Sequence, residues 1–397
     1  MRHAVDLMVE GKYSDLFQMF SPSLQEAIPE AQLVKIGDTV KKWGAAESFG
    51  QPEVRKAGSS TIVVLPVKFA SQNIRFTLRI NAAGQVDILN MMPGEMAWQH
   101  PAYSKPDSFQ ERNVIVGDAD WKLPGTLTVP KGNGPFPGVV LVHGSGPKDR
   151  DETVGGAKMF KDLAEGLASR GIVVLRYEKR TKVYSAKMAG MADRTVQDET
   201  VDDAVKAAAL LREQKEVDPK RVFVLGHGLG GYVAPRIADE DGKLAGLIIL
   251  GGNVRPLEDL AVEQSTYLGV PPKNLESIKV EAARIKRLEP ADADLPPLLG
   301  FPVPYLLDLK GYDPSADAKK LSIRILILQG ERDFETTVQD FGLWKGALGA
   351  RKDVAFHSYP GLDHLFVAGQ GKSTETDYAK PGHVAPEVID DIAKWIG

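Results

Sequence analysis

From about residue 113 onward the chain repeats one unit: a short, densely apolar run, a turn rich in glycine, and an amphipathic stretch of helical period. The runs are PGVVLVHGSG (137–146), GIVVLRYEKR (171–180), RVFVLGHGLGG (221–231), LAGLIILGGN (244–253), IRILILQGERD (323–333) and VAFHSYPG (354–361). Runs this short, apolar at successive positions, are what strands buried on both faces of a parallel sheet require. Between them lie MFKDLAEGLASR (159–170), VDDAVKAAALLREQ (201–214) and VQDFGLWKGAL (338–348), and APEVIDDIAKWIG (385–397) follows the last run. The expected fold is α/β, a doubly wound and mostly parallel sheet that holds ligands outside the carboxyl ends of its strands. One interval, about 254–320, breaks the rhythm with helical and proline-bearing sequence. An insertion at the strand ends is placed to form a cap over a site. Its Pro302, Pro304 and Tyr305 are expected to line an acyl or alcohol pocket.

The first hundred residues follow another pattern. Apolar residues recur at helical spacing over 3–20 and 30–43, and strand-like runs follow at 61–70, 73–82 and 85–92. This predicts a small α+β domain over 1–100. The stretch rich in Pro, Ser and charge before residue 113 reads as a linker, 101–112, leading to a main domain over 113–397. A length of 397 residues suits that division. With no cysteine the chain has no disulfide framework, no thiolate zinc site and no cysteine nucleophile. A formal net charge of −4, with Lys and Arg scattered, argues against nucleic acid as partner. No apolar run reaches the ~18–20 residues of a membrane span. The opening MRHAVDLMVEGKYSDLF lacks the apolar stretch of a signal peptide. The expectation is a soluble globular chain, secreted or periplasmic if a leader has been removed and cytoplasmic otherwise. A homo-oligomer is left open.

RVFVLGHGLGGYVAPRIAD is the most informative local sequence, a buried strand running through a glycine-dense turn into a helix. Two chemistries use that layout. Gly226-x-Gly228-x-x-Gly231 fits the dinucleotide pattern, in which glycines let a pyrophosphate approach a helix N-terminus. That reading, an NAD(P)-binding oxidoreductase, wants an acidic residue at the end of the next strand. Here that strand ends in Gly251, Gly252 and Asn253. The second reading is a nucleophile elbow, G-x-S-x-G, with Gly228 where the serine belongs. His143-Gly144-Ser145-Gly146 ends the first long strand, and backbone N–H groups of Ser145 or Gly146 beside that of Leu229 would form an oxyanion hole. Asp333 follows the strand IRILILQGERD, with Glu331 as a fallback acid, and His364 lies in the loop after the last strand. Elbow, Asp, His is the order of a serine hydrolase on this kind of sheet.

At these residues the chain resembles bacterial α/β-hydrolase esterases that carry an N-terminal domain of the DUF3887 type. The resemblance rests on VLVHGSGPKDRDETVGG (140–156), GLASRGIVVLRYEKRTKV (166–183), VDPKRVFVLGHGLGGYVAPRIAD (217–239), ILILQGERDFETTVQDF (325–341) and YPGLDHLF (359–366). It covers nearly all of 113–397 and, more loosely, 1–100. The family pattern at the elbow is GHSLGG, and this chain has GHGLGG. The resemblance implies a carboxylesterase-type serine hydrolase for small or short-acyl esters, without metal or organic cofactor. Position 228 would be the nucleophile, His364 the base and Asp333 the group that orients it.

Glycine at 228 accepts a strained turn without steric cost but offers no Oγ for an acyl-enzyme. The expectation is an inactive or strongly impaired chain, whether an active-site variant or a pseudoenzyme. At most it hydrolyses esters slowly through a water activated by His364. A non-catalytic ligand-binding protein on the same fold is the alternative. His143 and His227 are expected to support the loops by hydrogen bonding, His357 to pack, and Asp149, Arg150, Asp151 and Glu152 to form a solvated charge run with internal ion pairs, whose position after the oxyanion loop also allows a structural role in the site.

Overall fold

The computed structural model describes residues 2–93, 98–378 and 380–397. They fall into two compact units that divide between Trp98 and Gln99.

In the first unit the helical stretch 3–20 is broken at Gly11, whose φ of 76° ends the helix Arg2–Glu10 before Tyr13–Gln18 begins. The helix Pro22–Ala27 starts where the Ser21 side chain accepts the Leu24 N–H, and Glu30–Lys41 completes the helical part. An antiparallel sheet follows, built from β1 (Ala46–Phe49), β2 (Glu53–Ala57), β3 (Ser60–Phe69), β4 (Asn73–Ile80) and β5 (Val86–Pro93). Its order is β1-β3-β4-β5, with β2 also paired to β3. Alternate residues of β3 and β4, among them Leu65, Val67, Ile74, Phe76 and Leu78, join Leu7, Met8, Leu16, Phe20 and Leu33 in one core. β1 and β2 lack the apolar run of a buried strand: Ala46 and Phe49 of β1 are partly buried against the core, and residues 53–56 of β2 are exposed.

The second unit is built on eight strands in the order β15-β14-β13-β12-β8-β11-β7-β6. They are β6 (Phe109–Val116), β7 (Leu123–Pro130), β8 (Phe136–Val142), β11 (Val173–Tyr177), β12 (Val217–His227), β13 (Gly246–Leu250), β14 (Arg324–Gly330) and β15 (Val354–Tyr359). Thr153–Val154 (β9) and Ala157–Lys158 (β10) form a separate two-stranded ribbon. From β15 to β11 every pairing is parallel, and β7 and β6 close one edge antiparallel. Both faces are buried. Val140 and Val142 of β8 face a core shared with Leu211, Tyr232, Ile237 and Trp344. Val139 and Leu141 face the opposite core, with Phe160, Leu163, Val388 and Ile392. This is the α/β-hydrolase architecture, a mostly parallel sheet with helices on each side. Chain direction across the sheet reverses at β8, which has β11 on one side and β12 on the other, and a crevice opens at such a switch point.

Two expectations need correction. The segment 101–112 is not a linker but part of the second unit. Ser104 Oγ and His100 Nδ1 each lie 2.6 Å from the buried carboxylate of Glu165, and β6 begins at Phe109. Its Pro, Ser and charge make turns and ion pairs on a folded surface. The cap reading over 254–320 also changes at its end. Helices Leu257–Tyr267, Pro272–Ile285 and Val303–Leu309 follow β13, and a small cluster of Ile285, Leu288, Leu298, Val303 and Leu306 packs among them. Tyr305, Leu309 and Ala318, however, belong to the main core.

Candidate active site

β12 is hydrogen-bonded between β8 and β13 and delivers His227 to the crevice, where Gly228 turns the chain into the helix Leu229–Asp241. The turn is tight enough to demand glycine on steric grounds. A Cβ on Gly226 would lie 2.2 Å from the Gly230 carbonyl oxygen. Gly228 itself has φ 50° and ψ −113°, a conformation L side chains rarely adopt. A Cβ there would stand 3.3 Å from His364 Nε2, close enough that the imidazole must give by a few tenths of an ångström, and 3.7 Å from Gly144 Cα. A side chain at 228 would therefore point at the imidazole.

Asp333 lies just past β14. Its Oδ1 accepts the N–H groups of Glu335 and Thr336, both at 2.8 Å, which leaves Oδ2 for His364 Nδ1 at 2.7 Å. That carboxylate assigns the proton to Nδ1 and turns Nε2 toward Gly228. His364 sits in the loop after β15, where Asp363 Oδ1 accepts the N–H groups of Leu365 and Val367. The three positions read from the sequence, 228, 333 and 364, thus converge. Burial disfavours a charged imidazole here, but the carboxylates of Asp333 and Glu335 outweigh it and push the His364 pKa up to about 10.

The loop after β8 forms the facing wall. Gly144 donates its N–H to Glu152 Oε1 at 2.7 Å, so that group is already used. Ser145 and Leu229 line a cavity of about 270 Å³ together with Gly228 and His364. Among the described residues neither of their N–H groups has an acceptor within the chain. Gly146 is not among the residues lining the cavity; its carbonyl accepts from Lys148 N–H. His143 donates from Nε2 to the Asp149 carbonyl and packs on Phe160 and Tyr177. Burial lowers its pKa to about 4, so it is a neutral support. His227 donates from Nε2 to the His364 carbonyl at 3.0 Å, and its ring lies 4.4 Å from the His364 ring.

Two further carboxylates, Glu152 and Glu335, stand at the site. Glu152 is 1% exposed, has φ 48°, and holds Oε2 3.2 Å from His227 Nδ1. Burial opposes its charge, yet the neighbouring His227 keeps its pKa down at about 2. Glu335 places Oε2 3.8 Å from His364 Nε2 and accepts a hydrogen bond from Tyr378 at 2.8 Å. Glu152 ends the charged run DRDE, whose default reading is a solvated loop, and Glu335 follows Asp333 in ERDFE, where no local signal marks it as site-facing. The cavity's apolar wall also differs from expectation. The cap supplies Leu257, Leu260, Ala261 and Phe301 to it, beside Val154 and Leu365, whereas Tyr305 is fully buried in the core and Pro302 and Pro304 line a separate hollow. Phe301 and Tyr305 stack, so the aromatic at 301 is the one left facing the cavity. His357 is exposed beside Asp391. Among the described residues no cluster of His and carboxylates could hold a metal ion, and no helix is long and apolar enough to cross a membrane.

Residues 139–372 match the alpha/beta hydrolase family and residues 2–88 match a protein domain of unknown function, DUF3887. The chain belongs to the alpha/beta hydrolase family. It is similar to Esterase EstD of Thermotoga maritima, with 42% identity over 305 residues, or 75% of this chain and 70% of that protein. A shorter likeness, 30% over 107 residues, joins it to inactive dipeptidyl peptidase 10 of Mus musculus, covering 26% of this chain and 13% of that one. Among solved structures, the Pyrococcus furiosus esterase Pf2001 superposes with a TM-score of 0.47 at 15% identity, covering 77% of this chain and 96% of its own.

Proposed function

We propose that this chain carries the site of a carboxylesterase-type serine hydrolase for small or short-acyl carboxylic esters, with Gly228 at the nucleophile position. The observation that carries the reading is the aim of His364: its Nε2 lies 3.3 Å from where the Cβ of residue 228 would be, while Asp333 holds Nδ1. An ester fits with its carbonyl carbon above residue 228 and its oxygen toward the N–H groups of Ser145 and Leu229. Its alkyl part lies against Leu257, Leu260, Ala261 and Phe301. The cavity volume favours small substrates. EstD, similar over most of this chain, is called an esterase, which agrees with that class.

With serine at 228, His364 takes the hydroxyl proton as oxygen attacks the carbonyl, the oxyanion is held by the two N–H groups, and the imidazolium returns the proton to the leaving alcohol. Water then repeats the sequence on the acyl-enzyme. With glycine the covalent route is closed. What is left is His364 acting on a water placed where Oγ would be, at a rate reduced by several orders of magnitude.

The test is Gly228→Ser, assayed on short-chain aryl esters. The rate should rise by roughly 10³-fold or more, with a covalent fluorophosphonate adduct only in the variant. No gain and no adduct would favour a ligand-binding protein without turnover.

A further inference from the structure

We propose that Lys179 is a positioning residue of the oxyanion hole, holding the Gly144 carbonyl so that the Ser145 N–H of the same peptide faces the pocket; this rests on the hydrolase reading above. Lys179 follows β11, is 2% exposed, and places Nζ 2.8 Å from the Gly144 carbonyl oxygen. The same ammonium lies 2.5 Å from Glu199 Oε1, itself buried. A trans peptide is planar, and its C=O and N–H point in opposite directions. Fixing the Gly144 oxygen on Lys179 therefore fixes the Ser145 N–H on the opposite side, the side of Gly228 and His364.

Gly144 needs such a hold, since a glycine resists neither rotation about its backbone bonds. The peptide on its other side is fixed as well, through its N–H on Glu152 Oε1 at 2.7 Å. Two charged groups thus clamp one glycine from opposite ends. The Lys179 backbone N–H also donates to the Lys148 carbonyl at 3.1 Å, tying the end of β11 to the same loop. A buried ion pair is a poor source of stability, because desolvating both charges offsets most of their attraction. Holding a loop in one geometry is a use that does not depend on net stabilisation. The ammonium also draws electron density from the carbonyl, strengthening the Ser145 N–H as a donor. Lys179 does not line the cavity and so acts through the peptide alone.

The experiment is run in Gly228→Ser protein, with Lys179→Met added. Losing one oxyanion donor costs about 10²–10³-fold in kcat. A fall of that size with KM within about twofold is expected. Binding of an alkyl trifluoromethyl ketone, which forms a tetrahedral adduct on the serine, should weaken in parallel, while binding of the corresponding alcohol stays the same. Lys179→Met/Glu199→Gln leaves no buried charge unpaired, guards against a folding defect, and should show the same loss. Unchanged kcat in a folded variant would overturn the proposal, as would a loss confined to KM. A Gly228→Ser protein without esterase activity would instead remove the reading on which it rests.

Discussion

His364 has an acidic neighbour on each side, and that fixes how its chemistry depends on pH. Asp333 sits on Nδ1 and Glu335 faces Nε2, so the imidazolium persists until about pH 10. A protonated imidazole cannot accept a proton. Hydrolysis by Gly228→Ser should therefore climb with pH toward about 10 rather than levelling near 6.5. Glu335→Gln removes one of the carboxylates that raise the His364 pKa and should move the rising limb to lower pH. The imidazole Cε1–H shift, followed by NMR in the unaltered protein, checks the same point, and a midpoint near 6.5 would refute it. Stability has the same sign. A pKa raised above the unfolded value of 6.5 stabilises the fold fully below that pH, and the contribution fades as pH rises to about 10. Gly228→Ser, for its part, should cost about 1–3 kcal/mol in chemical unfolding, because serine must adopt a positive φ. Asp333 and position 228 were legible in the sequence because each follows a buried apolar strand, and His364 because it stands in the GLDHLF loop downstream of that acid. Glu152 and Glu335 were not, since only the folded chain shows which member of a charged stretch is turned inward.

The elbow is an element whose two ends must touch. Gly226, on β12, packs under the helix that starts three residues later, and a methyl group on it would collide with backbone that has nowhere to move. Gly226→Ala should lose about 3 kcal/mol or more in chemical denaturation. Gly242, at the far end of that helix, has φ 65° and open space around it. Gly242→Ala should cost only about 1 kcal/mol, the price of the left-handed backbone alone. A larger loss at 242 than at 226 would show that packing of the elbow does not govern the turn. Strands were read from sequence with the same unevenness. β8, β11, β13, β14 and the second half of β12 are largely apolar, and burial on both faces writes itself into such runs. β6, FQERNVIV, lies at the sheet edge with a polar run at 110–113, and β7 carries Pro124 and Pro130, which break the pattern a central strand would show.

At the scale of the molecule, the boundary between the two units is the feature the sequence misplaced, and it can be tested by where a shortened chain is made to start. Composition put the second domain at 113 because Pro, Ser and charge usually mark a linker. In the structure that segment supplies partners to a buried acid: Glu165, 2% exposed, accepts Ser104 Oγ and lies against His100 Nδ1. The segment also begins β6, whose eight residues pair with all of β7. A chain starting at Gln99 keeps both and should unfold cooperatively. A chain starting at 113 leaves Glu165 buried without those two partners and cuts β6 in half, baring part of β7 as a new edge. Removing the partners of a buried carboxylate costs about 3–5 kcal/mol, and an unpaired edge invites association. The 113–397 protein should therefore unfold at markedly lower denaturant or aggregate, and equal stability of the two would mean that 99–112 contributes nothing to the second unit. Ester hydrolysis by Gly228→Ser in the 99–397 chain should keep its kcat and KM within about twofold of the full-length variant, because every group assigned to the site, from Gly144 to His364, lies within the unit that begins at Gln99.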